Sequence, residues 1–182
     1  SRLKKYLTSA DEVYQRKVKH DADEHYVILL KEQVTYVESD GESCVVKRIV
    51  FRVVDDKGAK QLSERYVYFD GSTEKISLIR AQTRQPDGSI QEVAANAAFI
   101  KSAANSGNSL YNDGKNLIIV FPNVKKGSVV EYITAVEQEK PYVEDAFIDS
   151  FFFDSFVPCG EARHVLDIAD SLAKKLNFFE KG

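Results

Sequence analysis

Several short stretches of this sequence hold residue types that can do chemistry. In "HDADEH", His20 and His25 flank Asp21, Asp23 and Glu24, and imidazole nitrogens with carboxylate oxygens are donors a divalent metal takes when they converge on one point. No other segment completes a recognisable ligand spacing, so the stretch reads as the acidic entry to a strand beginning at Tyr26. In "PCGEARH", Cys159 and His164 are close in sequence, and a thiolate beside an imidazole is a nucleophilic device. An odd separation along a strand, however, sends two side chains to opposite faces. Ser72 with Lys75, and Ser171 with Lys174, fit S-x-x-K, a pattern short enough to arise often by chance. The paired carboxylates Asp55–Asp56 and Glu144–Asp145 are expected in solvated loops, whereas glycoside hydrolysis needs two carboxylates converging on one bond. G-x-S-x-G, H-E-x-x-H, the Walker loop and G-x-G-x-x-G are all absent, which weakens an enzyme reading. The sequence therefore assigns no catalytic, cofactor-binding or metal-binding residue.

Three further stretches are weighed for binding. "FPNVKKGSVVEY" (121–132) puts Lys125 beside Lys126, but adjacent side chains in extended backbone point apart and do not clamp an anion. Pro122 lacks an amide proton and Gly127 tolerates positive φ, so a connection between strands is expected. In "AFIDSFFFDSF", alternation places Phe147, Phe151 and Phe153 on one face and Ile148, Phe152 and Phe156 on the other. A strand apolar on both faces is either covered twice or meets another domain or protein. Phe147, Phe151, Phe152, Phe153 and Phe156 are thus the candidate interface. A second candidate surface, for a glycan or peptide, is the polar stretch carrying Asn105, Asn108 and Tyr111. The absence of Trp counts against a large sugar-stacking platform.

The elements that must position these residues read mostly as strands. Period-two alternation runs through 45–53 and recurs near 26–37, 62–69, 75–83, 117–121, 128–136, 147–157 and 162–168. Gly41, Gly58, Gly71, Gly88, Gly114 and Gly127 punctuate these runs, and Asp precedes four of the six, a hairpin signal. Residues 93–112, rich in Ala, Asn and Ser, read as an irregular insertion with a helical turn around Phe99 and Ile100. Ser9 and Glu12 stand at capping-box spacing ahead of a short helix over 10–16. Near the C-terminus, Ile168, Leu172 and Leu176 fit a helix, while "KLNFF" fits a strand equally well. The expected fold is mainly β: an antiparallel sandwich-like domain of about ten strands with minor helix. Its expected organisation is an extension over 1–20, a β domain over 21–170 and a C-terminal segment over 171–182.

Composition narrows the function classes. The chain has 182 residues, of which 43% are hydrophobic, enough for a proper core. Lys and Arg number 25 against 28 Asp and Glu, for a net charge of -3, so no general field draws in nucleic acid. The longest apolar runs, "YVILL" and "LIIVF", fall far short of the roughly 20 residues that span a bilayer. No signal-peptide pattern is visible; the opening "SRLKK" and the lack of Met are expected of a mature or trimmed chain. Two cysteines, Cys44 and Cys159, are too few for a disulfide scaffold and are expected as free, buried thiols.

The order of segments is specific. "DADEHYVILLKEQVTYVESDG" is followed by "KRIVFRVVDDKG", "ISLIRAQTRQPDGSIQEV", "LYNDGKNLIIVFPNVKKGSVVEYITAVEQ" and "FVPCGEARHVLDI". In this order, and most of all in "AQTRQPDGSI" and "FPNVKKGSVVEY", the chain resembles the domain of unknown function DUF3857, which in bacterial proteins precedes a transglutaminase-like domain. The resemblance spans about 21–168. It implies a non-catalytic accessory or interaction domain of a larger envelope protein, with a periplasmic location, no cofactor, and the downstream domain of the same chain as partner. The Cys, His and Asp of a transglutaminase-like domain would lie beyond Gly182. A glycan- or peptide-binding module of the envelope is the alternative, and a free-standing hydrolase a third reading, for which the three histidines are poorly placed.

Overall fold

In the computed structural model, residues 5–39, 42–103, 113–138 and 149–174 are described. Nine strands occur among them, in two sheets. The larger contains β1 (Tyr26–Val37), β2 (Ser43–Val53), β4 (Glu74–Arg84), β5 (Ile90–Glu92), β8 (Val129–Gln138) and β9 (Ala162–Ile168), in the order β5-β4-β8-β2-β1-β9. The smaller contains β3 (Glu64–Asp70), β6 (Ala98–Ser102) and β7 (Gly114–Val120), in the order β3-β7-β6. All pairings are antiparallel except that of β9 with β1, which is parallel.

Register decides which side chains share a face. Leu30, Glu32 and Val34 of β1 stand opposite Val50, Arg48 and Val46 of β2. Val50 and Arg48 in turn stand opposite Glu131 and Ile133 of β8, and Gln82 of β4 opposite Glu131. The other face carries Phe51, Val130, Tyr132 and Ala81, on which the smaller sheet packs with Leu117 and Ile119. Phe51 meets Tyr26 edge-on at 5.8 Å and Phe121 lies 6.4 Å from Tyr132. β1 is covered on both sides, so ten of its twelve residues are buried, including the polar Glu32, Gln33 and Thr35.

The first face is covered by the N-terminal segment, residues 5–18, with its helix α1 (Ala10–Gln15). Val13 is fully buried there among Val27, Leu29, Leu30, Val50 and Val129. Ser9 precedes this helix as expected but makes no side-chain cap; packing of Val13, not the capping box, holds so short a helix.

Several expected elements are corrected. Gly58, expected between strands, lies inside a helix, α2 (Asp56–Leu62), whose N-cap Asp55 accepts a bond from the Gly58 amide at 2.8 Å. Its Leu62 is fully buried in the intersheet core. Phe99 and Ile100, expected in a helical turn, lie in β6; the turn is a 3-10 turn just before it, Ala95–Ala97. The expected strand over 147–157 is absent over its described part, 149–157, which is irregular. Local bonds take its amides instead: Asp149 and Asp154 carboxylates accept from Ser150 and Ser155, and the Ser155 hydroxyl from Val157. Such side-chain-to-backbone bonds compete with ladder formation. At the C-terminal end the described residues form a single helical turn, α3 (Asp170–Ala173), while Leu176 and "KLNFF" lie outside the described residues. No described helix is long and apolar enough to cross a membrane.

Candidate functional site

The irregular stretch 149–157 is the candidate interaction surface, and it is held by one carboxylate. Asp149 Oδ1 accepts from Gln33 Nε2 at 2.8 Å, and Oδ2 accepts from Thr35 Oγ1 at 2.7 Å and lies 2.9 Å from His164 Nε2. β1 supplies Gln33 and Thr35 and β9 supplies His164, directly opposite Gln33 in the parallel register. A second anchor is Lys31, whose ammonium donates to the carbonyls of Phe152 and Asp154. Phe151 stacks on the His164 ring at 5.2 Å and meets Phe153 edge-on at 4.8 Å. With its base fixed, the loop leaves Phe152 74% exposed, Phe153 62% exposed and Phe156 wholly exposed.

Four of the five expected interface phenylalanines are described, and three of them face solvent. Phe147 lies outside the described residues, as do Asn105, Asn108 and Tyr111 of the second candidate surface. Phe151 is half-buried and serves the anchor. His164 with Asp149 has the form of an acid–base dyad. The hydroxyl beside its Nε2, that of Thr35 at 3.5 Å, is fully buried and itself donates to Asp149, so it is not presented to a substrate.

The other candidate chemistry separates. Cys159 donates to the carbonyl of Glu161 rather than to His164. Both cysteines are free and half-buried, not buried as expected, and burial raises each thiol pKa. His25 pairs with Asp55 at 2.7 Å. Bonds from the Gly58 amide and from His25 hold the Asp55 carboxyl below its usual value. No group of three potential metal ligands occurs among the described residues. Ser72 donates to Asp70 at 2.6 Å, closing the turn before β4. In 121–132, Asn123 and Gly127 take positive φ, 49° and 82°, and the Gly127 amide donates to Val53. That stretch is the expected connection.

A second site went unrecognised in the sequence: a buried ionic cluster on the opposite face of the larger sheet. Glu131, 1% exposed, accepts from Arg48 Nε at 2.7 Å, Arg80 Nη2 at 3.0 Å, Gln82 Nε2 at 2.7 Å and the Tyr14 hydroxyl. Glu32, equally buried, accepts from Arg163 at 2.6 Å, from the Thr8 amide at 3.1 Å and from the Thr8 hydroxyl at 2.8 Å. Burial pushes the Glu131 pKa up, but Arg48, the Tyr14 bond and Arg80 outweigh it, and the net direction is down. Burial, reinforced by the Glu131 bond and charge, pushes the Tyr14 phenol up to about 12. The carboxylate is ionised and the phenol is its donor. In sequence these residues look like exposed positions of alternating strands; only the cover from residues 5–18 buries them.

Fold and site define a mainly-β domain in which one sheet face is closed by the chain's own N-terminus and the far edge of the sheet carries an anchored aromatic loop. The chain belongs to DUF3857, a domain of unknown function, which matches residues 39–182. Among curated proteins none matches the sequence. Among solved structures it is similar to a "putative protease" from Parabacteroides distasonis, with 14% identity and a TM-score of 0.60 over 66% of this chain and 24% of that one. It is also similar to the CBM3a-L domain of scaffoldin cipA from Clostridium thermocellum (15% identity, TM-score 0.39, 66% of this chain and 71% of that one). A third likeness is to Legionella pneumophila aminopeptidase A (14% identity, TM-score 0.29, 65% of this chain and 12% of that one). At these identities the likeness is one of fold, and of the three only the first has a score that carries it. The chain spans about a quarter of the length of that Parabacteroides protein.

Proposed function

We propose that this chain is an accessory domain of a longer bacterial envelope protein, in the periplasm, and that its aromatic loop is the contact surface for a transglutaminase-like domain following in the same polypeptide. The observation that carries this is the exposure of Phe152, Phe153 and Phe156 on a loop whose base is tied to β1 and β9 by Asp149 and Lys31. Burying one Phe side chain contributes about 1.5–3 kcal/mol, so three on one loop suffice to hold a neighbouring domain in a fixed orientation. The loop's fixed base lowers the entropy that docking costs.

The test uses the parent polypeptide extended through its next domain. Replacing Phe152, Phe153 and Phe156 together by Ser should uncouple thermal unfolding of the two domains while leaving the melting of this domain alone unchanged. Unaltered coupling in the triple variant would rule the loop out as the contact.

A further inference from the structure

The N-terminal segment lies on the larger sheet in the manner of a bound peptide. Four of its carbonyls are taken by three arginines of the sheet. Arg163 donates to Tyr6, Arg48 to Thr8 at 2.6 Å, and Arg52 to both Tyr14 and Arg16, the latter at 2.9 Å. Glu32 takes the Thr8 amide and hydroxyl. These contacts read main chain, which any extended peptide offers. Four side chains add selectivity. Thr8 is read by Glu32, Val13 fills an apolar pocket floored by Leu29, Leu30 and Val50, the Tyr14 hydroxyl donates to Glu131 while accepting from Gln82 at 2.8 Å, and the Arg16 guanidinium donates to the Leu29 carbonyl at 2.9 Å and pairs with Glu161. The receiving groups are built for the purpose: Glu32, Arg48 and Glu131 are almost completely buried beneath the segment. The segment itself takes part in none of the described strand pairings, and it joins β1 through the largely exposed residues 19–25.

We propose that this sheet face is a peptide-binding site and that residues 5–18 are its tethered ligand. The class of peptide it takes carries Thr, then Val-Tyr, then Arg at the spacing of Thr8, Val13, Tyr14 and Arg16, with the tyrosine unmodified. A phosphotyrosine would set a dianion against the Glu131 carboxylate. The tether makes the local concentration of the segment millimolar in order of magnitude, so a free peptide exchanges measurably only once the tether is cut.

A specific protease site placed within residues 20–23 of the full chain, then cleaved, provides the test. Labelled peptide 5–18 is added and followed by fluorescence anisotropy, with strand content followed by circular dichroism. The expected result is saturable uptake by a body that stays folded. The Tyr14→Phe peptide should bind at least about tenfold more weakly, for two lost hydrogen bonds, one of them charged, and the phosphotyrosine peptide should not bind. Absence of exchange short of unfolding, loss of strand signal when the segment leaves, or equal binding of the Tyr14→Phe peptide would each overturn the proposal and make the segment an ordinary part of the fold.

Discussion

Substituting Glu131→Gln tests the buried cluster directly. The carboxylate accepts from four groups, Tyr14, Arg48, Arg80 and Gln82. The amide keeps an acceptor for the guanidiniums but turns a donor toward the Tyr14 and Gln82 side. Arg48 is 2% exposed, and its remaining carboxylate neighbour, Glu32, lies 3.8 Å away. Arg80 is 40% exposed and returns largely to water, so its share is discounted. Breaking a buried pair from one side costs about 3–5 kcal/mol, and with Arg80 discounted the lower end, about 3 kcal/mol, is expected. With a urea m-value of about 2 kcal/mol/M, the midpoint should fall by about 1.5 M. The pH dependence gives a second readout. Because folding lowers the Glu131 pKa below the ordinary glutamate value, the wild type keeps this contribution above that value and loses it as pH falls through the folded pKa. The Gln variant should therefore lose less stability on acidification. Replacing the pair together, Arg48→Met with Glu131→Gln, should recover part of the loss. A midpoint within about 0.3 M of wild type, well inside the shift expected from a buried pair, or an unchanged acid slope, would refute the assignment of this cluster as a stabilising buried network.

Gly58→Ala should destabilise despite the better helix propensity of Ala, because its Cβ would lie 1.9 Å from the His25 carbonyl oxygen; overpacking of this kind costs about 1–3 kcal/mol, read in the same urea titration. Asp149→Ala removes the shared acceptor of Gln33, Thr35 and His164 and should raise protease sensitivity and amide exchange across 149–157 before any global unfolding. Cys44 and Cys159, with thiol pKa values raised by burial, should react with a thiol reagent at pH 7 more slowly than a free cysteine, and denaturant should restore the rate.

Much of the scaffold was legible in the chain because antiparallel strands with one polar face announce themselves by alternation. β2, β4 and β8 fall close to the expected 45–53, 75–83 and 128–136, and the Asp-Gly pairs at Gly71 and Gly88 do mark turns. The reading failed where another physical cause dominates. Gly58 is a glycine because the His25 carbonyl approaches it, not because the chain turns there. The phenylalanine-rich 149–157 alternates like a strand, yet Asp and Ser side chains capture its amides and Lys31 its carbonyls. The short β5 and β6 carry little periodicity and exist through their partners β4 and β7.

The candidate sites divide in the same way. That the aromatic run near 147–156 needs cover on both faces was open to sequence reasoning, but whether the core or another domain supplies it was not. Which of its phenylalanines face solvent was decided by the Asp149 anchor, whose partners Gln33, Thr35 and His164 are more than a hundred residues away in two cases. The ionic cluster was closed to it altogether. Arg48 shares its phase with Val46 and Val50, and Glu131 with Val129 and Ile133, and so mixed a pattern does not say whether the charges on that face meet water or other protein. The sequence by itself determined the strands, their turns and the character of their faces, because these depend on neighbours within a few residues. Tertiary structure alone decided that residues 5–18 close this face and turn its charges into a buried, hydrogen-bonded network, because that depends on contacts between segments as far apart as Tyr14 and Glu131.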